Sequence, residues 1–143
     1  MISLLENRMI WAALLGTISA QVLKVFIVWL SDRVLDWSLL TSSGGMPSSH
    51  TSSVVALAMS IGKYNGWDSS LFAIAVVFAI IVMYDAANVR RSAGDQARML
   101  NILVTQFPDL QELQRQQLKE LLGHTPVEVL AGAVLGMVMG NLV

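Results

Sequence analysis

Four apolar stretches separated by more polar segments limit what this chain can fold into, and each stretch contains a single charged residue. They cover Met9–Leu30, Ser49–Lys63, Ser70–Ala87 and Pro126–Val143. A membrane-spanning helix needs about 20 apolar residues, although the second stretch is short enough to be buried or re-entrant. The chain is 55% hydrophobic and 13% charged, whereas a soluble domain is about 45–50% apolar and about 25% charged. The sequence therefore predicts one all-α domain over residues 1–143, a polytopic membrane helix bundle of about four spans.

A more polar region lies between the third and fourth stretches, from Arg90 to His124. Apolar residues recur at helical spacing over residues 95–107, and Pro108 ends this pattern. Asp109 and Glu112 then form a capping-box pattern that opens a second amphipathic helix over residues 110–122. We predict that this amphipathic helix pair lies on the membrane surface or packs beneath it.

Three glycines at spacings of four mark the last apolar stretch: Gly132, Gly136 and Gly140. On a helix they form a groove that lets another backbone approach closely. The groove predicts helix packing, either within the chain or between copies in a homo-oligomer.

Composition also excludes several functional classes. The formal net charge is −1, which offers no electrostatic basis for nucleic-acid binding. There are no cysteines and only two histidines, His50 and His124, so no zinc site is expected. We predict no metal and no cofactor.

Each histidine lies in a short polar stretch at the start of an apolar helix. Before His50, Gly45 allows the backbone to curl, and Ser48 and Ser49 place hydroxyl groups beside the first free N–H groups. A glycine-rich turn that leads into a helix N-terminus is an arrangement that binds anions. The alternative is that Ser48 only caps the helix after a flexible loop.

The second histidine, His124, precedes Glu128 by four residues, so the two share one helix face. A carboxylate that holds one imidazole nitrogen fixes the tautomer and strengthens the other nitrogen as a base or nucleophile. The alternative is that Glu128 extends to the interface and His124 is only a polar residue at the helix start.

A third cluster of polar residues, which includes Asp85, Arg90 and Arg91, lies where the third apolar stretch ends. The arginines either mark the cytoplasmic end of a span or donate to phosphate, with Asp85 pairing one guanidinium. Lys24, in the last two turns of the first stretch, either extends to the headgroups or reaches a polar pocket. If the first three stretches all cross, these clusters and both histidines converge on one side of the bilayer.

Three motifs resemble those of a known superfamily. Met-Pro-Ser-Ser-His, ending at His50, is similar to the Pro-Ser-Gly-His motif of type-2 phosphatidic acid phosphatases and vanadium haloperoxidases. Gly-His-Thr-Pro-Val-Glu, ending at Glu128, is similar to the His-x-x-x-Asp end of the third motif of that superfamily. With the segment from Asp85 to Ala97, they resemble the divergent branch of type-2 phosphatidic acid phosphatase related proteins over nearly the whole chain.

The resemblance implies metal-independent hydrolysis of a lipid phosphate monoester or diphosphate. His124 would be the nucleophile, Glu128 would orient it and His50 would be the general acid. The residues that we predict to bind phosphate or, for Asp85, to support it complete the site: Lys24, Gly45, Ser48, Ser49, Arg90, Arg91 and Asp85.

The chain departs from the superfamily pattern at three places. The first motif is Lys-x6-Arg-Pro, but here Arg33 lies two residues too far from Lys24 and no proline follows. Ser49 replaces the glycine of Pro-Ser-Gly-His, and the third-motif arginine falls on Leu118, beside Lys119. We expect Arg90 and Arg91 to supply the missing donors.

These features predict a membrane phosphatase whose partners are its lipid phosphate substrate and membrane lipids. Two alternatives stay open: a non-catalytic lipid-phosphate binder or transporter with the same pocket, and a helical membrane assembly factor. The positive-inside rule places the site on the cytoplasmic face of the cytoplasmic membrane. That face carries most of the basic residues: Arg33, Arg90, Arg91, Arg98, Arg115 and Lys119, against Arg8 and Lys63 on the other.

Overall fold

The computed structural model describes residues 6–41, 44–106 and 123–143, and every regular element in these ranges is helical. A 3₁₀ turn over Trp37–Thr41 follows the first helix, and a π-helical turn over Asp85–Val89 joins the third to the fourth. The five α-helices are α1 (Arg8–Asp32), α2 (Ser49–Asn65), α3 (Ser70–Tyr84), α4 (Arg90–Gln106) and α5 (Pro126–Leu142). The predicted all-α membrane bundle is confirmed.

Contacts at its two ends show that α2 runs from one end of the bundle to the other. At one end Arg8 donates to the Tyr64 hydroxyl at 2.9 Å, and Lys63 donates to the carbonyl of Asn141 at 2.9 Å. At the other end the backbone N–H of Ser48 donates to the carbonyl of Glu128 at 3.0 Å. Helix α2 is therefore antiparallel to α1 and parallel to α5, and it is not a re-entrant hairpin.

Helix α2 is the centre of the bundle, because α1, α3 and α5 all pack on it. The glycine groove of α5 lies directly against its backbone. A Cβ on Gly132, Gly136 or Gly140 would lie 2.5, 2.6 or 2.5 Å from the carbonyl oxygens of Ser48, Ser52 and Ala56. Since α2 fills the groove within the chain, these glycines pack an intramolecular contact. A homo-oligomer stays an untested prediction, and this face is not available to form it unless α2 leaves.

Small residues form the interior and large apolar residues face outward. The buried apolar residues are mostly alanines, such as Ala12, Ala56 and Ala79, while Ile18, Ile74 and Leu130 are more than half exposed. Membrane helices pack in this way because lipid gives little hydrophobic drive for helix association, so close packing between small residues holds the helices together. Large apolar side chains can then face the lipid. Two helical segments, Arg8–Asp32 and Ser70–Val104, are long and apolar enough to span a membrane, and Pro126–Leu142 is a shorter apolar helix.

The predicted surface helix pair differs from the structure in its first member. Helix α4 begins at Arg90, earlier than predicted, and continues from α3 through the π-helical turn without a break. The third span and the first amphipathic helix therefore form one long helix. The second predicted helix, over residues 110–122, lies outside the described residues.

Candidate functional site

The candidate site lies at the end of the bundle where α2 and α5 begin and α3 passes into the π-helical turn. Its centre is His124, which is 3% exposed and whose Nδ1 lies 3.0 Å from Oε2 of Glu128. The same carboxylate oxygen accepts the backbone N–H of Thr125 at 3.1 Å. The predicted partnership between this histidine and this glutamate is present in the structure. With Nδ1 bonded to Glu128, Nε2 is the nitrogen that is left for chemistry.

A capping box fixes Glu128 and was not predicted from the sequence. Thr125 is the N-cap of α5, and its hydroxyl accepts the backbone N–H of Glu128 at 3.3 Å. Thr-x-x-Glu is the usual pattern for this motif, so the signal was available in the sequence. The carboxylate therefore both caps α5 and orients His124.

The π-helical turn connects this pair to the arginine cluster. The carbonyl of Ala86 accepts the backbone N–H of His124 at 2.9 Å. Gly123 has φ +94°, and a Cβ there would lie 2.3 Å from the backbone nitrogen of Arg91. Only glycine accepts both this positive φ and such close contact with the Arg91 backbone. Gly123 therefore lets the chain pack against the π-helical turn and places His124 beside it.

The two arginines, predicted as a pair, have different positions. Nε of Arg90 lies 2.7 Å from Oδ2 of Asp85, as predicted for that carboxylate, and both residues line a cleft beside His50. Arg91 is exposed, its backbone lies against Gly123, and it does not line this cleft. Successive helical residues point about 100° apart, so one of the two arginines faces away.

His50 and Ser49, at the start of α2, line the same cleft, which has a volume of about 760 Å³. His50 is close enough to Arg90, His124 and Lys24 for electrostatic interaction. The structure thus brings both histidines and two basic side chains near one another, on one side of the bundle as the crossing parity predicted, although His124 and Lys24 do not line the cleft itself.

Lys24 is buried within the bundle, with 1% of its surface exposed, so its side chain does not extend to solvent. Its methylenes lie 3.6–3.8 Å from the position of a Cβ on Gly45, which has φ +82°. The ammonium is close enough to Glu128 for electrostatic interaction. Lys24 therefore lies on the inner side of the site, packed against the glycine turn.

The two serines before His50 differ in position: Ser48 caps helix α2, whereas Ser49 lines the cleft. Ser48 is the N-cap of α2, and its hydroxyl oxygen accepts the backbone N–H of Thr51 at 3.4 Å and the Thr51 hydroxyl at 3.1 Å. This is the alternative left open in the sequence analysis, and a phosphate-binding role for Ser48 stays a prediction. Ser49 lines the cleft and is the better placed of the two to meet a ligand.

The structure does not place the other candidate residues in the cleft. Arg33 is exposed, ends α1 in a left-handed conformation and does not line the cleft, while Leu118 and Lys119 lie outside the described residues. Among the described residues, no group of three His, Asp or Glu side chains is arranged to hold a metal ion. Metal independence itself stays a prediction.

Four polar residues that line the cleft were not predicted from the sequence: Thr17 and Gln21 on α1, Thr41 in the 3₁₀ turn and Ser53 on α2. The available signal was the four-residue spacing of Thr17 and Gln21, which places both on one face of an otherwise apolar helix.

Comparison with known proteins gives two matches. Residues 5–139 match the family described as the Divergent PAP2 family. The chain is also 46% identical over 147 residues to the Uncharacterized membrane protein YuiD of Bacillus subtilis (strain 168), which covers 95% of this chain and 93% of that protein. No solved structure matches the chain.

Proposed function

The chain belongs to the Divergent PAP2 family, and on this basis we propose that it is a membrane phosphatase that hydrolyses lipid phosphates through a phosphohistidine intermediate. The observation that carries the proposal is the contact between buried His124 and half-buried Glu128, 3.0 Å apart, beside His50 and two basic side chains. An oriented imidazole next to a second histidine supplies the nucleophile and the proton donor that phosphoryl transfer needs.

In the first step, the lone pair on Nε2 of His124 attacks phosphorus and the bond from phosphorus to the lipid oxygen breaks. Protonated His50 gives its proton to the departing oxygen, which leaves as an alcohol. The proton on Nδ1 of His124 stays hydrogen-bonded to Glu128, which stabilises the positive charge that develops on the ring. In the second step, neutral His50 takes a proton from water, the water oxygen attacks phosphorus, and the bond from phosphorus to Nε2 breaks to release inorganic phosphate.

Charge on the phosphoryl oxygens is neutralised by the basic residues of the site. Arg90 bonds Asp85 through Nε, and its two Nη groups are the donors that suit two phosphate oxygens. The ammonium of Lys24 adds positive charge from the inner side. Such fixed charges favour phosphoryl transfer because they need no rearrangement as negative charge shifts.

A lipid substrate is proposed because the cleft lies at the end of a membrane bundle, where lipid headgroups lie. The positive-inside rule favours the cytoplasmic face for this end, and therefore a substrate of the inner leaflet.

The second candidate function is binding or transport of lipid phosphate without hydrolysis. The ion pair between Arg90 and Asp85, at 2.7 Å, favours it, because Nε of Arg90 is already engaged and fewer donors are left for the charge that develops on the phosphoryl oxygens during hydrolysis. The position of Arg33, away from the cleft, removes one donor that the superfamily pattern would supply.

Phosphate release from a panel of lipid phosphates, by purified protein in detergent, separates the two functions. We expect wild-type turnover, a loss of at least about 1,000-fold in His124→Ala and a loss of about 100-fold or more in His50→Ala. Asn65→Ala, at the opposite end of the bundle, is the control and should keep wild-type activity. Normal release from the His124 variant would disprove the mechanism, and lipid binding without any wild-type release would favour the binder.

A further inference from the structure

The cleft beside His50 lies on the side of the site that is turned away from the proposed nucleophile. His50 and Arg90 line this cleft, whereas His124 does not. In an in-line displacement, the leaving oxygen and the attacking oxygen each lie opposite the nucleophilic atom. The lipid oxygen that departs in the first step and the water oxygen that attacks in the second therefore occupy this cleft in turn, beside His50.

The same cleft is open to the membrane. Helices α1 and α3 both pack on α2, but among the described residues they make at most marginal contact with each other. Phe78 and Ile81 on the α3 wall are at least half exposed, so the cleft opens sideways toward the membrane hydrocarbon. A lipid hydroxyl, including that of the alcohol just released, can therefore compete with water for the phosphoryl group.

Helix α1 places Gln21 level with the start of α2. A Cβ on Gly16 would lie 2.7 Å from the carbonyl oxygen of Ser52, and the Lys24 side chain packs against Gly45. Gln21 lies between these two positions of α1, so its height is that of the first turn of α2. It lines the cleft at the level of the proposed general acid.

Gln21 presents a hydrogen-bond acceptor to the cleft. Its Oε1 is buried and has no hydrogen-bond partner among the described residues. One turn along α1, the hydroxyl of Thr17 donates to the carbonyl of Ala13 at 3.1 Å, which leaves its oxygen as a second acceptor. Gln21 and Thr17 thus form a polar strip on the α1 wall. Because a buried acceptor without a donor is unfavourable, this strip favours a molecule that brings O–H groups into the cleft.

We propose that Gln21 positions the attacking water and makes the second step of the reaction select water over alcohols. This inference rests on the proposed phosphatase function and adds a residue to it. Water has two O–H groups, so it can give one to His50 and the other to Oε1 of Gln21. An alcohol has one O–H group, which His50 must receive, and it leaves Oε1 unpaired. Gln21 therefore favours release of inorganic phosphate over return of the phosphoryl group to a lipid hydroxyl.

The step balances with the groups already present. One O–H bond of water breaks and its proton passes to neutral His50 while the water oxygen bonds to phosphorus. The bond from phosphorus to Nε2 of His124 breaks, and its electron pair returns to that nitrogen. The second O–H bond of water stays intact, hydrogen-bonded to Gln21, and becomes part of the phosphate that leaves.

The test measures how the phosphoryl group divides between water and methanol. Purified protein in detergent turns over phosphatidic acid in the presence of methanol, and ³¹P NMR measures inorganic phosphate and methyl phosphate. Gln21→Met keeps the side-chain length and removes the acceptor, so we expect the ratio of methyl phosphate to inorganic phosphate to rise about tenfold, the effect of one buried hydrogen bond. The kcat should fall while kcat/KM, which is set by the first step, stays within about twofold. Gln96→Met, on the exposed part of α4, is the matched control and should keep the wild-type ratio.

The product ratio does not depend on how much of a variant is folded, so a structural role for Gln21 would not change it. Gln21→Leu should raise the ratio as Gln21→Met does, whereas Gln21→Glu keeps an acceptor and should stay at or below the wild-type ratio. A wild-type ratio in the Met and Leu variants, or an equal rise in the Glu variant, would overturn the role of Gln21 and leave the phosphatase standing. Release of neither product by wild type would disprove the phosphatase and this step with it.

Discussion

Replacement of Glu128 by Gln removes a charge from the site while it keeps the local structure. One oxygen, Oε2, accepts both the His124 ring N–H at 3.0 Å and the Thr125 backbone N–H at 3.1 Å. The amide oxygen of Gln can occupy the same place and accept both bonds. The tautomer of His124 and the cap of α5 are therefore preserved, and the carboxylate charge is lost.

The size of the effect follows from this geometry. A hydrogen bond to an ionised acceptor contributes about 1.5–3 kcal/mol, against about 0.5–1.5 kcal/mol for a neutral one. The side chain of Glu128 is 21% exposed and that of His124 is 3% exposed, so solvent screens the pair only weakly. Because ring charge grows when Nε2 attacks phosphorus, we expect Glu128→Gln to lower kcat about 10- to 100-fold, at about 1.4 kcal/mol per factor of ten.

The assay is the rate of phosphate release from phosphatidic acid, with thermal unfolding in detergent measured on the same samples. Glu128→Gln should unfold close to wild type. Glu128→Ala also removes the acceptor for Thr125, so it should lose about 1 kcal/mol of stability together with a larger fall in rate. Wild-type kcat in Glu128→Gln would refute the claim that this carboxylate assists His124, and a stability loss equal to that of the Ala variant would refute the preserved cap.

Three further predictions concern packing, topology and metal. Gly136→Ala places a Cβ 2.6 Å from the carbonyl oxygen of Ser52, so it should destabilise the bundle by about 1–3 kcal/mol in detergent unfolding; Val134→Ala, which is lipid-facing, should cost much less, and equal costs would contradict the packing of α5 on α2. Single cysteines placed at Ser38 and Asn65 can be probed with an impermeant thiol reagent in intact cells, and only the cysteine at 65 should be labelled. Labelling of the cysteine at 38 alone would reverse the orientation, and equal labelling of both would contradict a membrane crossing by α2. Activity should survive EDTA, whereas loss in chelator with recovery in Mg²⁺ would contradict the metal-independent mechanism.

Much of the fold was predictable because lipid imposes strong constraints on sequence. The apolar stretches predicted the helices, and the four-residue spacing of the α5 glycines predicted a packing groove. The partner of that groove was not predictable, because a glycine stripe fits any close backbone. The polar residues that follow Ala87 suggested that the third helix ended near there, yet these residues are compatible with helix, and the π-helical turn Asp85–Val89 carries α3 directly into α4.

The candidate site was predictable where residues are close in sequence. The spacing of His124 and Glu128 predicted their contact, and crossing parity predicted that the two histidines would lie on the same side of the bilayer. The different orientations of Arg90 and Arg91 depend on the turn and could not be inferred from composition. The polar strip of Thr17 and Gln21 also needed the structure, since only the arrangement of α1, α2 and α3 shows which face of α1 lines the cleft.

Direct detection of phosphohistidine tests the central claim most directly. With 4-nitrophenyl phosphate, whose activated leaving group departs as the anion and needs no proton, His50→Ala should release one equivalent of nitrophenolate rapidly and then stall, because His50 is still needed to activate water. Mass spectrometry of the quenched protein should find the phosphoryl group on His124, and His124→Ala should show neither the burst nor the label. Steady hydrolysis with no phosphoryl group on His124, or with the group on another residue, would contradict the account.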